Sequence, residues 1–138
     1  MKNTQKIVNF RGGKVMNIIE TKNAPGAIGP YSQGFVVNGI VYTSGQIPVN
    51  PENGMVPEGI AAQTEQSCKN VGAILSQAGS GFDKVFKTTC FLADMGDFAA
   101  FNEVYAKYFV SKPSRSCVAA KTLPKGVLCE IEAIAVEK

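Results

Sequence analysis

Apolar and polar positions alternate or cluster along most of this chain, and their period changes from element to element. Met16 to Thr21 reads as a first short strand. Phe35-Val36-Val37 and Ile40-Val41-Tyr42-Thr43 flank Asn38-Gly39, the pattern of a two-residue β-hairpin turn. From Ile60 to Ala78 the period becomes helical: Ile60, Thr64, Cys68, Val71, Leu75 and Ala78 recur at three- and four-residue steps, and Gly79 supplies a stop. Val85 to Ala93 is a near-continuous apolar strand. A second helix is predicted to start near the N-cap Asp94, with Asp97 three residues on, and to bury Phe98, Phe101, Tyr105 and Tyr108–Phe109. Pro113 to Val136 contains two strand-like runs around Leu123-Pro124-Lys125-Gly126, which predicts a β-hairpin.

The predicted order is β-ββ-α-β-α-ββ. Two helices on one face of a mixed sheet make an α+β two-layer sandwich. The strands look apolar on both sides, so the second face is expected to be covered by further copies of the chain.

Charge divides the chain. Of 14 Lys and Arg, four (Lys2, Lys6, Arg11, Lys14) lie in residues 1–15, which contain no acid. Residues 16–138 then hold 10 basic and 11 acidic side chains. The domain is therefore near neutral, which argues against a phosphate-backbone binding surface. Residues 1–15 read as a non-native or disordered basic extension, and 16–138 as one domain. Arg11-Gly12-Gly13-Lys14 can be encoded by a purine-rich run just before Met16, as in a bacterial ribosome-binding site. Met16 is thus a candidate first residue.

The chain has no His, which excludes a His-based triad. Cys68, Cys90, Cys117 and Cys129 are widely spaced, so no metal site and no cofactor is expected. No secretory signal or membrane-length apolar run is evident, which predicts a cytoplasmic protein.

Only two arginines occur, Arg11 and Arg115. Arg115 alternates onto one strand face with Cys117 and Ala119. Glu130 and Glu132 share a face of the last strand, opposite Cys129, Ile131, Ala133 and Ala135. A planar arginine fork beside two carboxylates suits a small-carboxylate site with an acid/base group next to it. The competing reading is a structural Arg–Glu pair across neighbouring strands. Asn102 sits at the edge of the aromatic stripe. Asn is unfavourable in mid-helix, which hints at a specific hydrogen bond.

Several segments resemble the YjgF/RidA family of reactive enamine/imine deaminases. They are N-A-P-G-A-I-G-P-Y-S-Q-G (23–34), T-S-G-Q-I-P-V-N-P (43–51), K-T-T-C-F-L-A-D-M-G-D-F (87–98), N-E-V-Y (102–105), R-S-C-V (115–118) and L-P-K-G-V-L-C-E-I-E-A-I-A-V (123–136). The resemblance implies a chorismate-mutase-like fold and a homotrimer with clefts between subunits. It implies hydrolysis of 2-aminoacrylate and 2-iminobutanoate to 2-ketoacids and ammonia. Arg115 would hold the substrate carboxylate and Glu130 would position water. Ser44 and Gly45 would line the pocket near carboxylate and water, with Tyr31 and Asn102 as further walls. Cys117 would contribute mainly its backbone carbonyl. The connection 108–114 is shorter than in familiar members, and the basic extension is not a family feature. Two other functions stay open: a non-catalytic ketoacid-binding regulatory trimer, and an RNA-directed translation inhibitor or ribonuclease.

Overall fold

The computed structural model describes residues 6–9 and 15–137. Seven strands form one sheet: β1 (Lys6–Asn9), β2 (Val15–Ile19), β3 (Gly34–Val37), β4 (Ile40–Thr43), β5 (Val85–Leu92), β6 (Ser114–Ala119) and β7 (Cys129–Val136). Two helices, α1 (Ile60–Gln77) and α2 (Phe98–Tyr108), pack on one face. The spatial order of the strands is β1-β2-β3-β4-β7-β5-β6. From β2 onward this is the expected α+β sandwich in the expected element order.

β1 was not anticipated as an element. It falls within the segment read as an extension and pairs antiparallel with β2, with Lys6 opposite Ile18 and Asn9 opposite Val15. Lys6-Ile7-Val8-Asn9 carries two β-branched residues at its centre, a composition that suits an edge strand.

The β3–β4 turn follows its sequence. Asn38 and Gly39 have φ of 51° and 78°, the left-handed pair of a type I′ turn. α1 also matches. Cys68, Val71, Ile74 and Leu75 are buried, and after Gly79 (φ 77°) the Ser80 N–H returns to the Leu75 carbonyl at 2.9 Å. Its buried stripe also contains Gln63, Thr64, Ser67 and Asn70. These polar groups are used. Gln63 Oε1 accepts the Leu128 N–H, and Asn70 Nδ2 donates to the carbonyls of Ile47 and Val49. The helix thus tethers two loops as well as filling the core.

Two expectations are corrected. Asp94 does cap, but it accepts the Gly96 N–H at 2.7 Å to start a 3-10 turn over Met95–Asp97, and α2 begins only at Phe98. More consequentially, β6 and β7 do not form a hairpin. β5 lies between them, antiparallel to β7 and parallel to β6. The physical reason is the crossover through α2, which returns the chain parallel to β5 on its free side. Leu123–Gly126 turns the chain within the longer connection that passes from one side of β5 to the other.

Register fixes the two faces. Arg115 pairs with Thr88, and Thr88 with Ala133; these three face the helices. Val118, Phe91 and Glu130 are likewise aligned, as are Ser116, Thr89 and Glu132, on the helix-free face. That face also carries exposed Tyr42, Val118 and Val136.

Packing on the helix side is close. A Cβ on Gly34 would stand 2.6 Å from the Tyr42 carbonyl oxygen and within 3.2 Å of Ile19 and Ile74 side chains. Since a backbone atom blocks it, Gly34→Ala is expected to lose about 3 kcal/mol of stability, read by denaturant unfolding. Unfolding midpoints equal to those of the wild type would show that β4 shifts freely.

Candidate functional site

Arg115 projects from β6 toward α2. Its Nη1 donates to Asn102 Oδ1 at 2.8 Å. Its Cζ lies 4.8 Å from the Tyr105 ring centroid and 5.5 Å from that of Phe98. Tyr105 is fixed in turn by stacking on Phe101 and Phe109 and by a 2.7 Å hydrogen bond to Thr88 Oγ1. Each partner follows from local sequence. Phe98, Asn102 and Tyr105 are spaced by four and three residues, so one stripe of α2 presents all three. The hydrogen bond inferred for Asn102 is therefore present, and the aromatic stripe is core and arginine platform at once.

Among the described residues, no carboxylate lies within ion-pair distance of Arg115; the pairs found there are Lys69–Glu65 and Lys84–Asp83. The structural Arg–Glu pair is thus not what this arginine makes. Most of its guanidinium donors remain available to a ligand. A half-buried arginine held by a neutral amide and two rings is a ready receptor for a planar anion.

Cys117, two residues along, faces the same side. Its register partner is Cys90. Burial raises the thiol pKa of both, that of Cys90 to about 12, so neither is a reactive thiolate near neutral pH.

Glu130 is elsewhere. It points from β7 to the helix-free face and lies against Gly45, where any Cβ would collide with its carboxylate. Glycine at 45 thus leaves the space that this placement of Glu130 uses. Burial raises the Glu130 carboxyl pKa above the ordinary glutamate value, and the neighbouring charge of Glu132 adds to the rise. The folded state then binds more protons than the unfolded chain just above the ordinary pKa, so stability falls as pH rises through that window. Glu130→Gln is expected to gain on wild type in unfolding free energy as pH rises above the ordinary glutamate pKa. A gap that does not vary with pH would contradict this.

Ser44 is held next to Gly45. Its N–H donates to the Gln33 carbonyl at 2.8 Å and its Oγ donates to the Ser32 carbonyl at 2.5 Å. Tyr31 is half-exposed, and its hydroxyl oxygen accepts the Ile28 N–H at 3.3 Å. Tyr31 and Gly45 both line a cavity of about 210 Å³ between the 25–33 loop and the 45–54 segment. Buried amides build its walls. Gln33 Nε2 donates to the carbonyls of Thr21, Ala24 and Pro25, and Gln46 Nε2 to those of Ser44 and Gly45. Sequence reasoning passed over Gln33, Gln46 and Asn70. Their signal was an amide inside an otherwise apolar stretch.

The predicted residues therefore form two groups. Asn102, Arg115 and Cys117 stand together on the helix side; Tyr31, Ser44, Gly45 and Glu130 stand together at the β4 end and the helix-free face. One chain does not bring Arg115 and Glu130 together. Among the described residues, no cluster of His, Cys, Asp and Glu suited to a metal ion occurs, and no helix is long and apolar enough to cross a membrane.

Comparison with known proteins completes the description. The family model described as Endoribonuclease L-PSP matches residues 21–137. The chain is 50% identical to the 2-iminobutanoate/2-iminopropanoate deaminase of Escherichia coli K12 over 124 residues, covering 87% of this chain and 97% of that one. It is 57% identical to the Lactococcus lactis protein named "Putative regulator AldR", with the same coverage. Among solved structures it is similar to E. coli TdcF with bound serine (TM-score 0.84, 50% identity, covering 86% of this chain and 97% of that one).

Proposed function

The chain belongs to the YjgF/RidA family, whose model carries the description Endoribonuclease L-PSP, and from that premise we propose that it is a hydrolytic deaminase of 2-imino acids. It would convert 2-aminoacrylate, 2-iminobutanoate and related imines to 2-ketoacids and ammonia. The observation that carries this reading is Arg115: an arginine pre-oriented by Asn102 and the rings of Tyr105 and Phe98, with no acid neutralising it among the described residues. Such a group holds a carboxylate in a fixed plane.

The chemistry needs little more. An imine carbon is electrophilic, so water adds once it is positioned and deprotonated. With the imine in its protonated form, Glu130 would accept the water proton as the C–O bond forms. It would then return that proton to nitrogen and take up the hydroxyl proton of the carbinolamine as the C–N bond breaks, the ketoacid C=O forms and ammonia leaves. A raised carboxyl pKa suits both halves of that exchange. Gly45 and Ser44 would border the reacting carbon.

The two halves would meet between copies of the chain. Arg115 and Glu130 face opposite sides of one sheet, so a substrate touching both requires Arg115 from one copy and Glu130 from another. The apolar side chains exposed on the helix-free face support such an assembly, and a homotrimer with three inter-subunit clefts is the form proposed.

The test is ketoacid formation from 2-iminobutanoate generated in situ by a threonine dehydratase. Rates above the uncatalysed background are expected. No acceleration would pass the function to a second reading, a non-catalytic ketoacid-binding regulator, which the relative named as a regulator favours. The near-neutral domain speaks against the RNA-directed reading.

A further inference from the structure

The cavity beside Gly45 has one feature that the deaminase reading does not use. Most of its wall is apolar, from Pro25, Ile28, Tyr31, Ile47 and Val49. Two of its polar side chains, Gln33 and Gln46, already spend their amide donors on backbone carbonyls. Lys125 is the one charged residue lining it, and Lys125 makes no ion pair among the described residues. A lysine of this kind keeps its charge free for an incoming anion.

Lys125 sits in a tight turn. Lys125 and Gly126 have φ of 57° and 65°, and the Val127 N–H returns to the Pro124 carbonyl at 3.4 Å. This is the same left-handed pair that Asn38 and Gly39 form in the β3–β4 turn. There the chain uses Asn, which tolerates the conformation; here it uses Lys, which does not favour it. Lys112 takes the same conformation (φ 50°) away from the cavity, so the turn by itself neither requires nor excludes a lysine. What sets Lys125 apart is its place at the cavity wall.

We propose that Lys125 recognises a second anionic group at the far end of the substrate side chain. On this inference, which rests on the deaminase reading, the site favours imines of acidic amino acids, 2-iminodicarboxylates, over neutral imines of the same shape. The carboxylate at the imine end would go to Arg115, the reacting carbon would sit at Gly45, and the side-chain carboxylate would reach into the cavity toward Lys125. The residue sets specificity and takes no part in bond making.

The test compares the imines of glutamate and glutamine, which match in shape and differ in charge, generated in situ by amino-acid oxidases. Wild type is expected to favour the acid over the amide about five- to tenfold in kcat/KM, with the preference shrinking at high salt. Lys125→Asn removes the charge and suits the turn, so it should fold at least as well. It is expected to lose that preference and to keep 2-iminobutanoate turnover within about twofold. Equal rates on acid and amide by wild type, or a preference that survives in Lys125→Asn, overturn the proposal. Binding of 2-ketoglutarate and its amide, titrated on both proteins, reads the same charge preference without turnover. Wild type that fails on 2-iminobutanoate yet shows this preference would sink only the deaminase reading.

Discussion

Arg115→Ala is expected to lower kcat/KM for 2-iminobutanoate by about a hundred- to a thousandfold. On the proposed reading Arg115 would make two parallel charge-assisted hydrogen bonds to the substrate carboxylate, and their loss costs about 3–4 kcal/mol in a partly desolvated site. Arg115→Lys should recover only a small part of that loss. A lysine ammonium cannot span both carboxylate oxygens, and it gains less from lying between the Tyr105 and Phe98 rings. Stability should change little, since no carboxylate is left buried and unpaired when Arg115 is removed. Ketoacid formation against the uncatalysed background is the measurement. An alanine variant with wild-type kinetics would remove Arg115 from the site altogether.

Glu130→Gln is the second large effect. The amide keeps the shape beside Gly45 and cannot accept a proton, so kcat should fall by about 10²- to 10⁴-fold. Ketoacid affinity should be nearly unchanged, because on the proposed reading Arg115 would carry the carboxylate. In wild type, kcat should rise with pH through the raised Glu130 pKa, as the free carboxylate becomes available. The glutamine variant should lose that limb of the profile. A Glu130→Gln enzyme with normal kcat would leave water activation to solvent alone.

Much of this was legible before any coordinates, for reasons that differ by element. The Asn38-Gly39 turn and the α1 stripe were readable because local chemistry decides them. Asn102 was readable because an amide in mid-helix is locally unfavourable and so calls for a partner. The β6–β7 hairpin failed because strand adjacency is a tertiary choice. Leu123–Gly126 does turn, but the crossover through α2 lays β6 parallel to β5, which pairs with both β6 and β7. The face assignments along each strand still held, since alternation is a property of one strand alone. β1 was missed because charge and glycines suggested an appendage, while pairing depends on the free edge that β2 offers. The opposed placement of Arg115 and Glu130 was beyond sequence reasoning, since it follows from register through β5.

That opposition yields the most direct test. Arg115→Ala and Glu130→Gln, each inactive alone, are mixed in equal amounts, dissociated and reassembled. If each site takes its arginine from one copy and its glutamate from another, random reassembly leaves both residues intact in about a quarter of the sites. About a quarter of wild-type activity should therefore return. Activity that stays at the level of the two separate variants would contradict a site shared between copies.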